Sequence, residues 1–281
     1  MTAVTVESVT TVEPVVAERR DTPDWHDLLV EAVLEPGRLA DAYKYFRQYS
    51  LCNRWLAASQ LRKLGMPLTP INTFKGWLNA GRPVQKGQKA SIALIMPVPI
   101  RSKKKDETGD EKNDVVFTKF MLRNFWFHLG QTEGEEYEAP AADDKDWSIA
   151  AAMSFLEVEE KAFEFRSVTD LREGYAQGKS IAVSPMSTQP EFVRLREIAR
   201  IVLGHTADVP AKSVPMEQSL RDVEAEATAY LVAATMAMPG LYESRARLQA
   251  VLEEDGKLRI PDRCANRAFA AADKLINAGY C

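Results

Sequence analysis

The sequence predicts an α+β chain in two parts: helices and a β-hairpin first, then a mainly helical part with a small sheet. Three observations carry this. Apolar residues recur at helical spacing over residues 25–64 and again from Pro190 onward. Two compact runs of strand length, Ser91–Val98 and Lys119–Leu129, stand between them. Charge also divides the chain. Residues 1–37 hold 2 basic and 8 acidic side chains, residues 38–130 hold 17 and 6, and residues 131–281 hold 17 and 26, for nets of −6, +11 and −9.

Residues 1–24, rich in Thr, Val and Glu, read as a disordered tail. They lack the early positive charge of a signal peptide. Leu28, Leu29, Ala32 and Val33 give the first helix its apolar face, and Pro36-Gly37 ends it. Leu39, Ala42, Tyr43 and Phe46 mark a second helix, and Leu51, Trp55, Leu56 and Leu61 a third that stops at Gly65-Met66-Pro67. Thr73 is placed to cap a short helix reaching Asn79. The polar block 101–114 reads as an exposed loop joining two antiparallel strands. The first domain is expected over 25–135, a linker over 136–146 and a second domain over 147–281. In the second, a helix is expected over 147–158, strands at Phe163–Phe165 and Ser180–Val183, and helices over 190–204, 217–236, 243–254 and 262–278.

At 46% hydrophobic and 27% charged residues the composition is that of an ordinary soluble protein. No apolar run is long enough to span a bilayer, so no membrane partner is expected. Cys52, Cys264 and Cys281 are odd in number and at no metal-like spacing, which reads as reduced thiols in a cytoplasmic protein. The +11 segment predicts a polyanion partner for that segment alone, or a basic surface facing the chain's own acidic half.

The helix expected over 190–204 contains Arg196-Glu-Ile-Ala-Arg200. Residues four apart share a helix face. In a zinc peptidase His-Glu-x-x-His uses that spacing to hold one metal between two imidazoles, while the glutamate activates the bound water. A guanidinium stays protonated and offers no lone pair, so Arg196 and Arg200 cannot stand in for those ligands. Glu197 keeps the general-base position, and Glu224 or Glu226 is placed to provide a further carboxylate. Two guanidinium groups carry the charge of one zinc ion, and the expectation is a metal-free ion-pair cluster with Glu197, Glu224 or Glu226, the alternative being two arginines that point to solvent. No metal and no cofactor is expected. His205, past the helix-ending Gly204, reads as a structural histidine.

The surroundings of this helix carry a resemblance. Gly174-Tyr-Ala-Gln-Gly-Lys-Ser-Ile-Ala-Val-Ser-Pro185, Leu203-Gly-His-Thr206, Glu224-Ala-Glu226, Met238-Pro-Gly240, Ile260-Pro261 and Ala270-Ala-Ala-Asp273 are similar to the zincin-like metallopeptidase domain of ArdC-type antirestriction proteins. That family has His at positions 196 and 200, so the resemblance implies a peptidase-like domain that has lost its catalysis.

Toward the N-terminus, Thr73-Phe-Lys-Gly-Trp-Leu-Asn-Ala-Gly-Arg-Pro-Val-Gln-Lys-Gly-Gln-Lys-Ala90 alternates glycines with cations. Glycine lets backbone approach a phosphate chain closely, cations neutralise it, and aromatics stack bases. With Tyr49-Ser-Leu-Cys-Asn53 and Gln131-Thr-Glu-Gly134, this run resembles the single-stranded DNA-binding domain of the same family. The resemblance implies a sequence-tolerant single-stranded DNA-binding, antirestriction protein of a plasmid or phage. Lys75, Arg82, Lys86 and Lys89 are expected at phosphates, Tyr49, Phe74 and Trp77 at bases, with Phe74 and Trp77 reading equally well as core, and Asn53 at the strand or as a brace of its loop. A restriction enzyme is a further possible partner. Two other readings stay open: a surviving metal-dependent peptidase with a shifted site at His205, Glu224 and Glu226, and an acidic C-terminal module that mimics DNA to bind a protein.

Overall fold

The computed structural model describes residues 22–35, 37–105, 111–137, 146–207, 216–254, 257–258 and 260–280. Most of the expected tail and linker lies outside these residues. The architecture is α+β. Helices α1 (Trp25–Leu34), α2 (Arg38–Tyr45) and α3 (Leu51–Lys63) lead into strand β1 (Ile71–Thr73) and helix α4 (Phe74–Asn79). Thr73 Oγ1 accepts from Gly76 N at 3.1 Å, the cap expected of it. A long hairpin follows, β2 (Ile92–Lys105) and β3 (Glu111–His128), giving an antiparallel sheet ordered β1-β3-β2.

The hairpin is longer than expected. The ladder continues to Lys105↔Glu111, well into the block expected to be loop. Backbone pairing in an exposed hairpin needs no apolar side chains, so composition understated it. Near the other end, a register shift between Ile92 and Ala93 leaves Phe125 as the extra residue of β3, exposed, while Trp126 turns into the core.

Beyond the hairpin come α5 (Ile149–Leu156), β4 (Glu159–Glu160), β5 (Gly174–Gln177), β6 (Ser180–Val183), α6 (Pro190–Val202), α7 (Gln218–Thr235), α8 (Leu241–Leu252), the two-residue strands β7 (Glu253–Glu254) and β8 (Lys257–Leu258), and α9 (Asp262–Ala278). β6 pairs antiparallel with β5 and parallel with β4. Phe163–Phe165 is not a strand as expected. Its two aromatic rings pack on each other and Phe163 also on Tyr175, so their apolar character serves a loop cluster.

α7 is the central post. Every residue from Val223 to Thr235 is buried, and a helix buried all round must have neighbours on all sides. α6, α8 and α9 surround it, and α1 and α2 reach it from the N-terminal part. Tyr230 on α7 donates to the carbonyls of Ala32 and Val33 at 3.3 and 3.1 Å, fastening the end of α1. Asp273 on α9 accepts from Leu51 N at 2.7 Å and so caps α3 from a distant helix, a task Ser50 does not perform. One hydrophobic core therefore runs from Leu28 through Trp55 to Tyr230 and Leu275. No helix among the described residues is long and apolar enough to cross a membrane.

α3 also closes an open sheet edge. Asn53 donates to Ile95 O at 2.9 Å and accepts from Ile95 N at 2.8 Å. Two turns later Gln60 donates to Ala93 O at 2.8 Å and accepts from Ala93 N at 2.9 Å. Two primary amides thus mimic a neighbouring strand along β2 and satisfy an edge that would otherwise be open. Gln60→Leu is expected to cost about 1–3 kcal/mol, because it strands a backbone donor and acceptor. Urea unfolding at neutral pH checks it, and a loss within a few tenths of wild type would show that the edge is closed by other means.

Candidate functional site

Two regions carry the chemistry. The first surrounds the stretch 73–90. Its loop is held by the segment after β3. Buried Gln131 accepts from Ser91 Oγ at 2.7 Å and from His128 N at 3.1 Å, and donates to Lys89 O at 2.7 Å and Gln88 Oε1 at 3.2 Å. Gln85 N donates to Gln131 O, Glu133 N donates to Pro83 O, and Val84 bridges Thr132. Gly134 has φ of 132°, and a Cβ there would lie 2.9 Å from Gly81 O, so only glycine lets the two segments lie this close. The two motifs that resemble one family's run in sequence are thus one interlocked unit in space. It leaves Lys86 and Lys89 exposed, with Lys75 exposed at the start of α4.

Of the residues expected at DNA, Phe74 is 54% exposed, and its ring stands edge-on to Phe127 with centroids 6.3 Å apart. Arg82 is half-buried and donates through Nε to Thr132 Oγ1 at 3.1 Å. Tyr49 is half-buried, its hydroxyl donating to Ile71 O at 3.2 Å. Two residues belong elsewhere. Trp77 is fully buried and donates to Phe127 O at 2.9 Å, so its face is spent on the core. Asn53 has both amide groups engaged by Ile95, the bracing role rather than a strand contact. Phe120 and Phe125, in contrast, are 64% and 53% exposed on β3 and were not singled out by sequence. Residues five apart fall on opposite faces of a regular strand, so their common exposure is not written in the alternation of β3, which is bulged at Phe125.

The second region is the Arg196–Arg200 face of α6. Gly174 starts β5 flush against this helix; a Cβ there would meet Val193 Cγ1 at 2.6 Å. The close approach carries Glu173 to Arg196, whose Nη1 lies 3.0 Å from Glu173 Oε2 and 3.6 Å from Glu226 Oε2, while its Nε lies 3.1 Å from Glu197 Oε1. Arg200 places Nε 3.1 Å from Glu197 Oε2 and Nη2 2.7 Å from Asp222 Oδ1. Arg247 from α8 donates to Glu226 Oε1 at 2.9 Å. Burial works against the charge on Arg196, but Glu197, Glu226 and Glu173 outweigh it and hold its pKa above the ordinary arginine value. Three helices and the β5 edge are thereby joined by guanidinium–carboxylate contacts around a cleft of about 410 Å³.

Glu224 does not join this cluster. Two residues apart on α7, Glu224 and Glu226 point to different sides of the helix. Glu224 is fully buried and accepts from His205 Nε2 at 2.9 Å and Arg267 Nε at 3.0 Å. The shifted site of His205, Glu224 and Glu226 is therefore not assembled, since Glu226 faces Arg196 and Arg247. Among the described residues no group of three or more His, Cys, Asp or Glu is arranged to hold a metal ion. The donor set around Glu197 does not fit zinc either, because both positions facing it on α6 carry cations. Glu173, Asp222 and Arg247 were missed by sequence. Asp222, four residues before Glu226 on one helix face, left a local signal; Glu173 and Arg247 left none.

Burial alone would raise the Glu224 carboxyl, but the bonds from His205 and Arg267 outweigh it and hold the group below the ordinary glutamate range. The Cys264 thiol beside it is pushed up to about 11, first by burial and then by the Glu224 charge. A depressed folded value means that the unfolded chain takes up the proton first. The stabilisation is complete at neutral pH and is lost as pH falls through the folded value. Glu224→Gln is expected to flatten the acid limb of the stability–pH curve, measured by urea unfolding from about pH 6 down to about pH 3. An acid limb as steep as wild type would assign it to other carboxylates.

No family model and no curated protein sequence matches the chain. Among solved structures it is similar to the metal-free crystal structure of the antirestriction protein ArdC from plasmid R388. The identity is 16% and the TM-score 0.49, over 91% of this chain and 97% of that one. It is also similar to the Mn(II)-bound structure of the same protein, at 16% identity and a TM-score of 0.41, over 82% and 85% of the two chains. A likeness of that degree says nothing about activity.

Proposed function

We propose that the chain binds single-stranded DNA with little sequence preference, in a DNA-protecting, antirestriction role, and that its peptidase-like part is a non-catalytic scaffold. The observation that supports this most is the locked 81–90 loop. Its backbone is tied to Gln131–Gly134 while Lys86 and Lys89 extend into solvent, next in sequence to the exposed Phe74 and Lys75. A fixed backbone with outward cations suits a phosphate chain, and exposed rings suit unstacked bases. The antirestriction setting comes from the resemblance of the sequence motifs. Protection by binding needs no bond cleavage, which accords with a helix face whose cations are already paired with Glu197.

Binding to a labelled single strand across a salt series tests the first half. The Lys86→Ala/Lys89→Ala double variant is expected to bind more weakly, with a log–log salt slope shallower by about 0.7 per lost phosphate contact. An unchanged slope would remove these lysines from the interface. For the second half, protein purified without chelators is expected to carry no stoichiometric zinc. Stoichiometric zinc that disappears on Glu226→Ala would restore the peptidase reading.

A further inference from the structure

A cleft of about 570 Å³ opens between the hairpin and α9, where the two halves of the chain meet. Its walls are aromatic: Trp25 from α1, Tyr49 from the α2–α3 connection, Phe120 and Trp126 from β3, and Phe269 from α9. Tyr49 and Trp126 stand edge-on with centroids 6.4 Å apart, and Trp25 and Phe269 lie 6.1 Å apart. Buried cores fill such spaces, yet this one stays open and is rimmed by Phe120, 64% exposed.

The polar groups at the cleft narrow its ligand. Among the described residues no Lys or Arg lines it, so they offer a phosphate no counter-charge there. α9 instead presents Asn266 and Asp273, seven residues apart and hence on one face. Asp273 Oδ1 accepts from Leu51 N at 2.7 Å and Oδ2 receives a long 3.4 Å bond from Asn277; two carboxylate oxygens with several lone pairs retain acceptor capacity beyond these. Asn266 is exposed, and no hydrogen bond shown among the described residues engages its side chain. Aromatic walls with a carboxylate at the edge suit a flat, uncharged ring that carries N–H donors.

The cleft is also linked through β1 to the region described above. Tyr49 is bonded to Ile71 O on β1, β1 pairs with β3 through Thr73↔Trp126, and Thr73 caps the helix that carries Phe74 and Lys75. We propose that the cleft receives one nucleobase of the bound single strand. Its exocyclic amino group donates toward Asp273 and Asn266, and its faces lie among Phe120, Tyr49 and Trp25. This rests on the single-strand reading and adds to it one position of base preference within otherwise sequence-tolerant binding, with the amino-bearing bases adenine, guanine and cytosine favoured over thymine.

The test compares fluorescein-labelled oligothymidylate with the same strand bearing a single central dG or dC. The substituted strands are expected to bind about tenfold tighter, one well-placed polar base contact. That preference should collapse in Asn266→Ala and in Asp273→Asn, the latter keeping an oxygen for Leu51 N. Phe120→Ala, at an exposed position that leaves folding intact, should reduce it too. Equal affinities for all strands, or a preference that survives the Asn266 and Phe120 variants, would overturn the base slot while leaving strand binding in place. Failure of every strand to bind would overturn the single-strand reading and this inference with it.

Discussion

Glu197→Ala is expected to lower the unfolding free energy by about 3–5 kcal/mol, the cost of removing one partner from a buried ion-pair cluster. Glu197 is 1% exposed and its two oxygens face two different arginines, so the truncation leaves guanidinium groups in a half-closed cleft with fewer carboxylates. Arg196 retains Glu173 and Glu226, and Arg200 retains Asp222, so the loss falls short of two stranded charges. The triple variant Glu197→Leu/Arg196→Met/Arg200→Leu removes both guanidinium groups with the carboxylate between them; Glu226 keeps Arg247, and Glu173 and Asp222 are solvated, so most of the loss is expected to be recovered, as apolar replacement of a buried ionic group often does. Urea unfolding of the single and triple variants, run side by side, decides the matter. A single-variant loss below about 1 kcal/mol, the scale of an exposed pair, would show that these contacts are ordinary surface ion pairs.

Trp77→Ala is expected to cost a similar amount, about 3–5 kcal/mol, from the lost apolar burial and the cavity left behind. The indole is fully buried, lies edge-on to Tyr137 with centroids 5.1 Å apart, and donates to Phe127 O on β3. It is the main bolt between α4 and the hairpin, and so indirectly positions the lysines of the 81–90 loop. Trp77→Phe keeps most of the volume and loses the hydrogen bond, so its cost should be nearer 1–2 kcal/mol. Single-strand affinity of the folded Trp77→Phe protein should stay within about twofold of wild type, since one base stacked on an aromatic contributes about 1–3 kcal/mol and this ring supplies no such contact. A larger fall in affinity at unchanged stability would return Trp77 to the binding surface.

These expectations separate what the chain states locally from what it does not. Most of the helices are legible because apolar residues recur at helical spacing along them, though α7 is buried on every side, and Thr73 caps its helix through a bond spanning three residues. Phe163–Phe165 misled because an apolar triplet of strand length also suits a loop cluster around Tyr175. The length of the hairpin was hidden for the opposite reason: a paired backbone under polar side chains has no apolar signature.

By itself the sequence determined the residue chemistry: arginines at 196 and 200, which carry charge and no lone pair, a glutamate between them, and a basic segment rich in aromatics. It could not say which carboxylates the arginines meet, or which aromatics face out. Glu226 pairs with Arg196 and Glu224 does not because α7 turns them to different sides, and only the placement of α6, α8 and α9 around it decides what each side meets. Likewise one bulge in β3 sends Phe125 outward and Trp126 inward, and α3, lying along β2, turns Asn53 into a substitute for a missing strand. Local periodicity arises from neighbours a few bonds apart and can be read in order. Partner choice depends on elements as distant as Glu173 and Arg196, or Leu51 and Asp273, brought together by burial of the whole core.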